Sequence, residues 1–269
     1  MTHGFRRSIT RSGPFKEANR TGLAIMCGSE VRSFLCIIFL SFLVAQSCSV
    51  PASRDFVLDG AKANALLCRP EGKGPFPAII WSHGRVTDAA VLERARTGGW
   101  PRLCQAFASD GLLAFVPIRE FERGAGPKNI PFNQEELLRA VDYVKRLPDV
   151  DSFRIALMGH SRGGLLTLMV GLERKDLKAL IITAPADIRP YFSQAIARVS
   201  LVSVPVLLLV EEGDEEGSLG AVNILDQALR NHRKEVRTIR YNRGGGHYLF
   251  VRVDYWWDDL RTFLRGKVL

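Results

Sequence analysis

From Ser53 onward the chain alternates short apolar runs with stretches of helical period, and this alternation narrows the possible folds more than any other feature. The runs are Ala78–Trp81, Leu112–Val116, Ile155–Met158, Ala179–Thr183, Val206–Val210 and Val236–Tyr241. A strand with one wet face alternates apolar and polar residues, whereas a continuous apolar strand needs cover on both faces. The amphipathic stretches between the runs can supply that cover. The pattern predicts an α/β fold: a doubly wound, mostly parallel sheet in one domain over residues 53–269, with no repeat or linker breaking it.

Local signals place the helix ends. Asn133 with Glu136 three residues later reads as a capping box, followed by an apolar face of Leu137, Leu138, Val141, Val144 and Leu147, with Pro148 as the stop. Pro101 suits the first turn of a helix that runs to about Ser109, with Gly111 at its end. Asp254 is the expected cap of a last helix whose Trp256, Leu260, Phe263 and Leu264 face the core.

Charge bears on partners and on the leader. The formal net charge is +9, and four of those units lie in residues 1–47. The remainder is spread out, with no Lys/Arg run longer than two, so no nucleic-acid surface is expected. Phe34–Ala45 is a charge-free stretch of twelve residues preceded by Arg32. It is too short to span a bilayer and suits a signal-peptide core, with residues 1–47 as leader and Met26 as an alternative start. Small residues before Cys48 allow either lipid attachment there or ordinary cleavage. The expected location is outside the cytoplasm, periplasmic, membrane-anchored through Cys48, or secreted. Cys68 and Cys104 fall within the mature domain, and an oxidising compartment would permit their pairing without requiring it. No CxxC or His-rich cluster suggests a metal, and no cofactor is implied.

One segment carries chemistry. In Arg154-Ile-Ala-Leu-Met-Gly159-His160-Ser161-Arg162-Gly163-Gly164 an apolar strand runs into Gly-x-Ser-x-Gly and then into a helical stretch. A nucleophile on so sharp a turn needs small neighbours two residues away on either side, and Gly159 and Gly163 meet that need. Serine requires a base. Of the five histidines, His3 lies in the leader, His160 sits inside the turn, His232 ends a helical stretch, and His83 follows another strand. His247 remains, on the glycine-rich loop after Val236–Tyr241, and is the expected base. The acid that orients it belongs at a strand end between them, where Glu211-Glu212-Gly213-Asp214 follows Val206–Val210. Asp214 is preferred, with Asp187, Glu211 and Glu212 as rivals. Backbone N–H groups of Arg162 and Arg85 are the expected oxyanion donors, with His83 holding its loop.

Together, Ser-His-Gly at 82–84, Gly-His-Ser-Arg-Gly-Gly at 159–164 and Gly-Gly-His at 245–247 resemble the α/β-hydrolases. The size and spacing are similar to dienelactone hydrolases and prolyl-oligopeptidase-like esterases, over about residues 55–265. The resemblance implies hydrolysis of a small-molecule ester through an acyl-enzyme, without cofactor or metal. Two departures stand out. Dienelactone-cleaving members use a cysteine where this chain has Ser161, and many relatives carry glycine where Glu211 stands. Only residues 188–204 separate the loop after Ala179–Thr183 from the next strand, which leaves room for a short helix and no large lid. An amidase, thioesterase or small peptidase with the same groups, and a silent binding protein of this fold, are the competing expectations.

Overall fold

The structure is a computed structural model that describes residues 53–58, 61–119 and 129–269, with side chains from residue 64 onward except that of Val251. The expected leader, Met26 and Cys48 lie outside the described residues. Among those described, eight strands form one sheet: β1 (Ser53–Leu58), β2 (Ala61–Cys68), β3 (Phe76–Ser82), β4 (Leu113–Ile118), β5 (Val150–His160), β6 (Ala179–Thr183), β7 (Val206–Glu211) and β8 (Val236–Tyr241). Their order across the sheet is β1-β2-β4-β3-β5-β6-β7-β8. β1, β2 and β4 pair antiparallel, and every pair from β4 through β3 to β8 is parallel.

The helices are α1 (Ala89–Arg94), α2 (Trp100–Ser109), α3 (Ile130–Lys145), α4 (Arg162–Glu173), α5 (Tyr191–Ala197), α6 (Ser218–Asn231) and α7 (Trp257–Leu264). They cover both faces of the sheet. Successive strand residues point to opposite faces. Accordingly Ile80, Leu157, Leu180, Ile182 and Leu208 join one core with Val141, Leu165 and Leu225 of α3, α4 and α6. Ile79, Met158, Ile181, Leu207 and Leu209 join a second core with Phe107 and Phe263 of α2 and α7. Both layers exclude water, which is why the central strands carry no polar alternation.

Two local expectations are corrected. α3 begins at Ile130, with Pro131 in its first turn, so Asn133 is not its cap. Asn133 lies inside the helix, buried, with its side-chain amide 3.5 Å from Glu136. A proline in the first turn loses no hydrogen bond and starts a helix as well as a polar cap does. Asp254 belongs to a short 3-10 turn, Val253–Tyr255, and α7 starts after Trp256 without a side-chain cap. Asp258 and Asp259 in its first turn complement the helix dipole instead. The helix expected at Pro101 is present as stated: α2 has Pro101 in its first turn and ends at Ser109, and α1 with a π-helical turn, Ala95–Gly99, leads into it. Cys68 and Cys104 form a disulfide that ties the end of β2 to α2.

Candidate active site

β5 ends at His160 and α4 begins at Arg162, so Ser161 alone makes the turn. Its φ of 55° and ψ of −118° lie where side chains are disfavoured, at a cost of about 1–3 kcal/mol. Three backbone hydrogen bonds hold it there. Ser161 N–H donates to Thr183 O at 3.0 Å, and Ser161 O accepts from Leu165 and Ala186 at 3.2 and 3.0 Å. The glycines are sterically required. A Cβ on Gly159 would strike the Gly163 carbonyl, and one on Gly163 would strike the Ser82 carbonyl of β3.

His247 sits in a 3-10 turn, Gly246–Val251, and is buried. Its Nδ1 is 2.8 Å from Asp214 Oδ2, and the Asp214 side chain is fully enclosed. Asp214 Oδ1 accepts backbone N–H bonds from Glu216 at 3.0 Å and Ser218 at 3.3 Å, so the loop that supplies the carboxylate also fixes its rotamer. Of the four acids weighed from sequence, Asp214 is the one on the imidazole. Asp187 pairs with Arg189 at 3.2 Å, and Glu212 is exposed. Glu211 is buried for another purpose: its Oε1 accepts the Arg243 and Gly244 N–H groups at 2.7 and 3.1 Å. It thereby anchors the glycine-rich loop that delivers His247. The sequence offered Glu211 only as a rival orienting acid and gave no local signal for this anchoring role.

Ser161, His160 and His247 border one cavity of about 390 Å³ together with Trp81, Gly84, Arg85, Trp100, Glu216 and Tyr248. Ser161 and His247 both border this space, and no hydrogen bond joins their side chains. A nucleophile and its base tighten their contact when substrate binds. Glu216 Oε2 is 3.7 Å from His247 Nε2. Arg85 borders the cavity at the start of the loop after β3, and Arg162 opens α4. His83 is buried behind that loop. Its Nε2 accepts from the Arg119 N–H at 2.9 Å, so its proton sits on Nδ1 and points to Gly84 O at 2.7 Å.

Burial holds His83 far below its ordinary pKa, with the Arg119 guanidinium adding to the effect. Burial also lowers His160 to about 3, reinforced by His247, whose ring centre is 4.8 Å away. Both rings are therefore neutral at ordinary pH. In the unfolded chain each takes up a proton near pH 6.5. Below that pH the unfolded state binds more protons than the native one, so stability is full above about pH 6.5 and falls as the pH drops toward 3. Each such proton changes the unfolding free energy by about 1.4 kcal/mol per pH unit. The expected result is a fall in Tm from pH 6.5 to 5, with a slope that is reduced by His160→Gln. A Tm independent of pH across that window would contradict buried neutral histidines.

A parallel sheet wrapped by helices, with a strained serine between strand and helix and an Asp–His pair at the neighbouring strand ends, defines an α/β-hydrolase. The dienelactone hydrolase family model matches residues 100–254, and the chain belongs to that family. It is 23% identical over 219 residues to the uncharacterized peptidase YtmA of Bacillus subtilis, covering 70% of this chain and 82% of that one. It is 25% identical over 134 residues to the esterase EstD of Thermotoga maritima, 49% of this chain and 32% of that protein. Among solved structures it is similar to Est1E from Butyrivibrio proteoclasticus, with TM-score 0.61 and 19% identity, over 80% of this chain and 98% of Est1E. The Pyrococcus horikoshii acylaminoacyl peptidase is also similar, with TM-score 0.63 and 16% identity, over 81% of this chain and 42% of that one. Likenesses this distant in sequence speak for the fold.

Proposed function

We infer that this hydrolase cleaves carboxylic esters with Ser161 as nucleophile, His247 as base and Asp214 as the acid that orients it. The observation that carries the reading is the Asp214–His247 bond beside a strained Ser161 on one cavity. Serine is a weak nucleophile until a base removes its proton. With Nδ1–H engaged by Asp214, His247 presents a lone pair on Nε2, the form a base needs. Attack on the ester carbonyl builds a negative oxygen, which the Arg162 and Arg85 N–H groups would receive. His247 then returns the proton to the leaving alcohol, and water repeats the sequence on the acyl-enzyme.

The neighbouring names include peptidases, so amide cleavage with the same groups is the second reading. Two measurements test both. A fluorophosphonate probe is expected to label the protein at Ser161, and a protein that stays unlabelled is no serine hydrolase. Paired substrates with one acyl group, as the 4-nitrophenyl ester and the 4-nitroanilide, are expected to show turnover of the ester only. Faster cleavage of the anilide would move the assignment to a peptidase or amidase.

A further inference from the structure

We propose that the protein selects esters whose acyl group carries a planar aromatic ring, seated against Trp81 and Trp100. The proposal rests on the esterase reading and narrows its substrate class. Proton return fixes which side of the cavity each half of the ester occupies. The leaving oxygen must lie near His247 Nε2, so the alcohol faces Glu216, 3.7 Å from that nitrogen, and Tyr248, whose ring centre is 6.0 Å from the imidazole. In the sheet β3 lies on one side of β5, which ends at Ser161, and β7 and β8 lie on the other, so the acyl group is assigned the wall that β3, the loop after it and the α1–α2 segment supply: Trp81, Val86, Trp100 and Leu103.

That wall is aromatic and braced by its neighbours. Trp81 and Trp100 meet edge to face, with centroids 6.1 Å apart and planes at 65°. Trp100 stacks on His83 at 4.4 Å and 25°, and His83 is itself held at both ring nitrogens by Arg119 N–H and Gly84 O. Cys104, next to Leu103 on α2, is bonded to Cys68 at the end of β2, which fixes the helix against the sheet. A preformed aromatic surface rewards a flat ring, which buries a large area with few rotors to freeze and gains ring–ring attraction as well. An alkyl chain of similar size loses the freedom of several torsions to cover the same surface. A cavity of about 390 Å³ is within the ordinary range for small-molecule sites and has room for a ring on a short linker.

The test compares 4-nitrophenyl 3-phenylpropanoate with 4-nitrophenyl hexanoate. Both carry the same leaving group and a saturated carbon beside the carbonyl, so their intrinsic reactivities match. The expected kcat/KM is about tenfold higher for the phenyl ester, the ratio that ring–ring contact supplies. Trp100→Leu keeps an apolar side chain but removes the plane, and is expected to bring the ratio close to one. Trp81→Leu is a second, separate removal should the first variant fold poorly. An active enzyme that takes hexanoate as fast, or a ratio that survives both substitutions, overturns the selection and leaves the esterase reading standing. A wild-type protein that hydrolyses neither ester and resists the fluorophosphonate overturns the esterase reading, and the selection with it.

Discussion

Ser161→Ala is expected to lower kcat on a 4-nitrophenyl ester by about 10⁴–10⁶-fold while leaving Tm unchanged. The loss is large because the hydroxyl is the atom that bonds to substrate. What remains is the contribution of substrate binding and the oxyanion donors. The fold should survive because Ser161 holds its turn through backbone groups: its N–H on Thr183 and its carbonyl on Leu165 and Ala186. Alanine carries the same Cβ into the same positive φ, so the strain is unaltered. Purified variant protein with matched Tm and near-wild-type turnover would remove Ser161 from the mechanism.

Asp214→Asn is expected to cut kcat by up to about 10⁴-fold with little change in KM. An asparagine amide facing Nδ1 forces the proton onto Nε2, the wrong tautomer for a base. The shape is kept, since Asn Oδ1 can still accept the Glu216 and Ser218 N–H groups that Asp214 Oδ1 accepts now. Asp187→Asn, which breaks only a pair with Arg189, is expected to change activity less than twofold. Glu211→Gln should fall between the two, because it leaves an acceptor for the Arg243 and Gly244 N–H groups but removes the charge that holds them. If Asp214→Asn keeps more than a tenth of the activity while Asp187→Asn collapses, the acid belongs to the loop after β6.

Much of this was legible without coordinates. β6 and β8 begin and end where the apolar runs Ala179–Thr183 and Val236–Tyr241 do. The strand–Gly-x-Ser-x-Gly–helix segment reads directly as a turn too tight for a Cβ at positions 159 and 163, which the Gly163 and Ser82 carbonyls confirm. The antiparallel strands β1 and β2 were not foreseen. Neither was the start of α3 at Ile130, where Pro131 outweighed the more conspicuous Asn133–Glu136 pair.

The division has a physical cause. Periodicity, helix-end chemistry and the steric need for glycine act over a few residues, so the sequence by itself determined the α/β layering, the serine turn and the short list of histidines. Glu211 closes β7 and Asp214 stands three residues further on, both in one acidic run of the sequence, and residue type alone does not tell which of them orients the imidazole. Only the path of the chain after β7 turns Asp214 onto His247 and sends Glu211 to the backbone of residues 243 and 244. The cavity is likewise a tertiary product. Its walls come from the β3–β4 connection and from the loops after β7 and β8, and Trp81 and Tyr248, which share it, lie far apart in the sequence. Contacts of that separation depend on how the sheet stacks its edges, and no pattern read along the chain encodes them.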